Sequence, residues 1–341
     1  MTTDTEASTM KLGAYTACLD DKPLPQALKL LHELGLTGAE INAGGFRPSP
    51  HIPAARIRES AAARDDYLGL FEDADIALTG LNVNGNPLHP DPEVGPRHAD
   101  DLREAITTAG LLGVRRIVAM SGQPAAHAGG TAPSWAVIPW DSAYLDVLEY
   151  QWNEVAIPFW KEIDARARDA GVKVCIEMHP HNLVFNPATL ERLVAEAGAT
   201  HVGAEMDPSH LFWQGIDPIA AVEHLGPLVF HAAAKDTRIN ENCRVNGVLD
   251  DRFTRIPATE NPLGIGGRYT VTRWPETPSW EFVAVGRGHG RDFWSRFLRA
   301  LHDVDPDMAV NIEHEDEEFD QVEGLRLAAE ALTGAAEAAG L

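Results

Sequence analysis

Along nearly the whole chain, short apolar runs that read as strands alternate with longer segments of helical periodicity, and this alternation constrains the fold more than any other feature. Strand-like runs fall at residues 11–19, 38–42, 76–83, 114–120, 172–178, 201–206, 228–234 and 308–312. Helical patterns follow each of them, at 23–34, 61–73, 98–112, 143–170, 187–197, 218–225, 291–303 and 321–332, with an interruption expected at Pro158. Eight strands that are apolar on both faces, each followed by a helix, predict an α/β fold of the (β/α)8 TIM-barrel type rather than an open sheet. No glycine-rich dinucleotide fingerprint follows the first strand, which counts against the open-sheet alternative. One long insertion, 237–290, separates strand seven from its helix; its Trp274, Trp280 and Phe282 predict an ordered lid. Residues 1–9 are expected to be a disordered tail and 10–341 a single catalytic domain.

Charge and cysteine usage narrow the function. With 51 acidic against 28 basic residues the net charge is −23, a field that opposes phosphate backbones, so nucleic acid is not an expected partner. No apolar run approaches the roughly 18 residues of a membrane span. The three cysteines are widely spaced, without a CxxC pair, and the N-terminus lacks the basic and apolar regions of a signal peptide; a cytoplasmic location is expected.

In a barrel of this kind the chemistry sits where strands end and loops begin. A period of two turns Cys175, Glu177 and His179 inward on strand five and leaves Val174, Ile176 and Met178 for the surrounding helices. The same test turns Glu205 and Asp207 inward on strand six, His231, Ala233 and Lys235 on strand seven, and Asn311, Glu313 and Glu315 on strand eight. Carboxylates converging from three strands repel one another unless a cation or protons offset them. An oxygen-rich set with one or two imidazoles suits a divalent metal, Mn²⁺ first, with Mg²⁺, Co²⁺ and Zn²⁺ as alternatives. Glu177, Asp207 and Glu313 are the expected core of this set, whereas Glu205, Glu315 and Asp316 are read as solvated loop charges. His224, His302 and His314 are read as structural or exposed. Asn82 and Asn84 share one face and suit either sugar hydroxyls or a turn.

These strand ends resemble the xylose isomerase-like family of sugar isomerases and epimerases. The segments that carry the resemblance are IEMHP at 176–180, MDPSHLFWQGIDP at 206–218, FHAAAKDTR at 230–238, VGRGH at 285–289 and NIEHED at 311–316. The resemblance implies one or two divalent metals held by Glu177, Asp207 and Glu313, with His210 binding substrate or metal. Where relatives carry a second histidine on strand seven, this chain has Ala233. His231, a water, His179 or His289 is left to complete the shell, unless the site is weakened. The resemblance further implies a small-molecule sugar or glycoside as substrate and removal of a proton α to its carbonyl. Glu177, His179 and Glu313 would move the proton, and Asn84, His210, Lys235, Arg238 and His289 would contact the substrate. Large subunits of bacterial C-glycoside deglycosidases, which cleave 3-keto C-glycosides by β-elimination, share this framework. A homo-oligomer is therefore expected, with a small second subunit as the alternative, and a non-catalytic sugar-binding barrel is the third reading.

Overall fold

The computed structural model describes residues 10–341; the tail expected at 1–9 lies outside them. Eight parallel strands close into a barrel: β1 Lys11–Tyr15, β2 Gly38–Asn42, β3 Ala77–Asn82, β4 Arg116–Met120, β5 Lys173–Glu177, β6 Val202–Met206, β7 Val229–Ala234 and β8 Ala309–Ile312. Each pairs with its sequence neighbours, and β1 closes the ring against β8 in the register Gly13↔Asn311. Outward-facing residues such as Val174, Ile176, Ala204 and Val310 are fully buried beneath the helices, where Trp160, Trp294 and Phe297 fill the layer between helix and sheet. Full burial of one such side chain contributes about 1.5–3 kcal/mol. Polar caps set where helices begin: Asn186 and Thr189 form a reciprocal capping box at Pro187–Ala197, and Asp320 caps Gln321–Ala339.

The fold departs from the sequence expectation in four local places. The run 11–19 is a strand only to Tyr15, after which a 3-10 turn, Thr16–Leu19, carries the chain off the barrel. Burial on all sides supports both conformations, so apolarity alone does not separate them. The long helix near Pro158 contains a π-helical segment, Tyr150–Ala156, between Ser142–Glu149 and Ile157–Ala170. Proline cannot donate a hydrogen bond and crowds the carbonyl four residues back, and the wider turn absorbs both defects without ending the helix. Two short helices, Ala54–Glu59 and Pro208–Phe212, are too brief to leave a periodic signal.

The insertion is anchored by an antiparallel pair, Asp236–Ile239 with Trp280–Val283, which extends directly from the end of β7. Its base is fixed by Asp236, whose carboxylate accepts from the backbone N–H groups of Gly286, Gly288 and His289. Gly288 is required there, because a Cβ would lie 2.3 Å from the Thr237 carbonyl oxygen. No helix among the described residues is long and apolar enough to cross a membrane.

Candidate functional site

Three carboxylates converge at the carboxyl ends of the strands. Glu177 is the last residue of β5, Asp207 follows β6 directly, and Glu313 follows β8. One oxygen from each lies within 4.8 Å of the others. Asp207 doubles as the cap of Pro208–Phe212, with Oδ1 accepting from the Ser209 N–H at 2.8 Å, while buried Oδ2 has no hydrogen-bond partner. That short helix delivers His210, whose Nε2 lies 3.1 Å from Glu177 Oε1 and 3.3 Å from Asp207 Oδ2. Neither of its ring nitrogens completes a hydrogen bond. His179 joins the group, its ring centroid 4.0 Å from that of His210 and its Nδ1 2.5 Å from the Pro180 carbonyl oxygen. Lys235, just beyond β7, lies 3.3 Å from Glu313 and 3.1 Å from Glu315. Asn84 donates from Nδ2 to Glu177 Oε2 and keeps a buried, unpartnered Oδ1.

The electrostatics follow from this crowding. Burial raises the Asp207 carboxyl to about 7, with Lys235 opposing and Glu177 adding to the rise. Burial likewise pushes Glu313 well above the carboxylate range, with Lys235 opposing while Glu177 and Asp207 add to the rise. Burial acts in the same direction on Glu177, but His210, His179 and Lys235 outweigh it and hold that carboxyl at about 2. Burial works to discharge Lys235, and the surrounding carboxylates overcome it. His210 is driven down to about 3 by burial, so its imidazole is neutral and able to act as a ligand. Lys235 offsets part of the repulsion, and protonation of Asp207 and Glu313 relieves the remainder. Three convergent oxygens, an orphaned Asp207 Oδ2 and a neutral imidazole between them fit a divalent cation, which would relieve it without protons.

A second polar layer lies deeper in the barrel. Glu40, on β2, receives Asn82 Nδ2 at 2.8 Å, Asn311 Nδ2 at 3.1 Å and His231 Nε2 at 2.6 Å. Gly13 makes room for it, since a Cβ there would lie 2.4 Å from Asn311 Oδ1. Glu205 completes this layer with both oxygens buried and unpartnered; burial, then Glu40 and Glu177, push its carboxyl well up, so it is held neutral.

The sequence expectations are met unevenly. Glu177, His179, Asp207, His210, Lys235, Glu313 and Asn84 are brought together. His231 is not: it faces inward as expected, but sits in the deeper layer on Glu40 instead of beside Asp207. Ala233, between them on β7, is buried and presents only a methyl. Arg238 points away along the insertion, paired with Glu281 and Glu318. His289 is engaged by Asp236 at 2.7 Å and stacks on Phe212, 3.6 Å between centroids. Neither Arg238 nor His289 reaches the carboxylates. Glu205 and Asp316, expected as solvated charges, are buried; Asp316 accepts from the backbone of Ala284 and Glu318 and so braces the insertion. Glu315 is half exposed as expected, though paired with Lys235. Sequence reading missed Glu40, although a lone carboxylate inside the apolar pentapeptide GAEIN is the same signal that marked β5 and β6.

Residues 28–335 match the model of the xylose isomerase-like TIM barrel family. The chain belongs to that family. It is 34% identical to YfiH, an uncharacterized protein of Bacillus subtilis (strain 168), over 95% of this chain and 98% of that protein. Among solved structures, the fold resembles an IOLI protein with a bound zinc atom at TM-score 0.60 and 17% identity, over 96% of this chain and 99% of the other. It also resembles an L-ribulose 3-epimerase at TM-score 0.58 and 14% identity, over 97% of both chains.

Proposed function

We propose that this member of the family is a divalent-metal-dependent sugar isomerase or epimerase, which removes the proton on the carbon next to a sugar carbonyl. The observation that carries the proposal is the convergence of Glu177, Asp207 and Glu313 within 4.8 Å at the catalytic end of the barrel, with Asp207 Oδ2 left without a partner. The zinc and the epimerase activity named for two similar folds agree with it.

Glu177, Asp207 and Glu313 would hold the metal, with His210 near enough to contribute. A bound divalent cation polarises the carbonyl and the neighbouring hydroxyl oxygen and stabilises the negative charge that develops on them as the proton leaves. Glu177, kept ionised by His210, His179 and Lys235, is suited to accept that proton on the carboxylate oxygen not engaged by the metal. Glu313, ionised once the metal is bound, is suited to take part in returning a proton to the adjacent carbon. Lys235 and Asn84 Oδ1 orient hydroxyls on either side, and His179, stacked against His210, closes the site next to the insertion.

The test is exchange in D₂O. Ketohexoses incubated with Mn²⁺-loaded protein should gain one deuterium next to the carbonyl, and Glu177→Gln and Glu313→Gln should each abolish the gain. A substrate carrying deuterium at that carbon should react more slowly, which covers a base that returns the same proton. Turnover by metal-free protein, or a requirement for a hydride acceptor, would contradict the proposal.

A further inference from the structure

The mouth of the barrel opens into a cavity of about 350 Å³ whose walls belong largely to the insertion. His179 and His210 form its floor, so it is continuous with the carboxylate cluster through the contact of His210 with Glu177. Its walls, however, are aromatic. Trp213 and Trp280 lie parallel, 4.8 Å between centroids and 8° apart; Trp274 meets Trp280 edge-on, and Phe282 bridges to the site by lying under Lys235 Nζ and against His210. A free monosaccharide presents hydroxyls on every carbon and needs several donors and acceptors. The wall supplies few: Asp250 is occupied by Arg252 at 2.8 Å, and Trp280 Nε1 by the Val248 carbonyl oxygen at 3.1 Å. Two of its polar atoms, Trp213 Nε1 and Ser279 Oγ, are buried and unpartnered, with Ser279 only 3% exposed. The charged groups of the site lie at the floor, and the mostly aromatic space above it suits a flat apolar body with a few polar substituents.

Resting on the function proposed above, we infer that the substrate carries a planar aromatic group attached to the sugar, held against Trp213 and Trp280 while the sugar ring meets the carboxylates. Trp213 Nε1 donates to an oxygen substituent of that group, and Ser279 Oγ donates to or accepts from the same edge. The insertion thus selects the substrate and the barrel carries the reaction.

Phenyl β-D-glucopyranoside and methyl β-D-glucopyranoside share a sugar and differ in the aromatic ring, and their affinities can be compared by calorimetry with the full chain after EDTA treatment. The phenyl glycoside should bind at least about tenfold more tightly, the factor expected from two aromatic contacts, and should perturb tryptophan fluorescence. Trp213→Ala and Trp280→Ala should each erase most of that advantage, whereas Trp280→Phe, which keeps an aromatic face, should retain it; melting curves identify any variant that fails to fold. Equal affinity for the two glycosides, absence of binding by both at millimolar concentration, or an advantage that survives both alanine variants would overturn the inference. Because the measurement needs neither metal nor turnover, the aromatic subsite can stand if the proposed reaction falls, and the reverse.

Discussion

At the scale of single residues, the site is a charge conflict that protons resolve in one way and a cation in another. Asp207 illustrates the consequence for stability. Its folded value, about 7, lies above the ordinary 3.8, so protonation favours the fold: that contribution is complete below about 3.8 and lost as pH rises through about 7. Metal-free Asp207→Asn keeps the Oδ1 cap on Ser209 and carries no such charge. Its melting temperature should therefore gain on that of the parent as pH rises from 4 to 7, a gap that saturating Mn²⁺ should close by stabilising the parent alone. A gap independent of pH would contradict the assignment. Glu313→Gln should likewise melt no lower than the parent without metal, yet lose at least the 10²-fold in turnover typical of a general acid or base; circular dichroism and activity on one preparation check both. The alternation along β5, β6 and β8 made Glu177, Asp207 and Glu313 legible in the sequence, because a period of two specifies the face of a strand. It does not specify depth. His231 and Lys235 face the same way but are four residues, roughly 13 Å, apart along the strand, so one joins Glu40 and the other Glu313. Glu205 failed for the same reason: an inward carboxylate one layer below the rim has no water to meet.

At the scale of elements, β7 is where the proposed metal site is most open to change. His231, Ala233 and Lys235 share its inner face, and Ala233 pairs in register with Asn311 on β8, next to the strand end that carries Glu313. Ala233→His should add an imidazole ligand and strengthen Mn²⁺ or Zn²⁺ binding by about tenfold or more, within the range that single ligand-shell changes produce, as read by competition with a chelator. Unchanged affinity in a folded variant would mean that position 233 lies outside the coordination sphere. The loops were less legible than the strands. The apolar runs announced all eight strands, but the pairing of Asp236–Ile239 with Trp280–Val283 joins segments about forty residues apart, and no local pattern encodes a partner at that distance. Arg238 and His289 were misplaced in consequence: both lie on this anchored base, where Glu281 and Asp236 claim them before a substrate could.

At the scale of the molecule, the closed barrel brings carboxylates from three separate strands to one end, and the insertion covers that end with aromatic rings. The alternation of strands and helices made the barrel readable, because each apolar strand needs helical cover on its outer face. The division of labour between polar floor and aromatic wall was not readable, since it depends on how the insertion folds back over β5 and β6. The central claim concerns the floor: Glu177, Asp207 and Glu313 together hold one divalent cation. Calorimetric titration of Mn²⁺ into EDTA-stripped protein tests it most directly, run between pH 6 and 8 on the parent and on Glu177→Gln, Asp207→Asn and Glu313→Gln. The parent should take up one ion per chain, more tightly at pH 8 than at pH 6 because Asp207 and Glu313 must release protons to the solvent first, and each variant should lose most of that affinity. A stripped parent that binds neither Mn²⁺, Mg²⁺, Co²⁺ nor Zn²⁺, or three variants that bind as the parent does, would contradict the account.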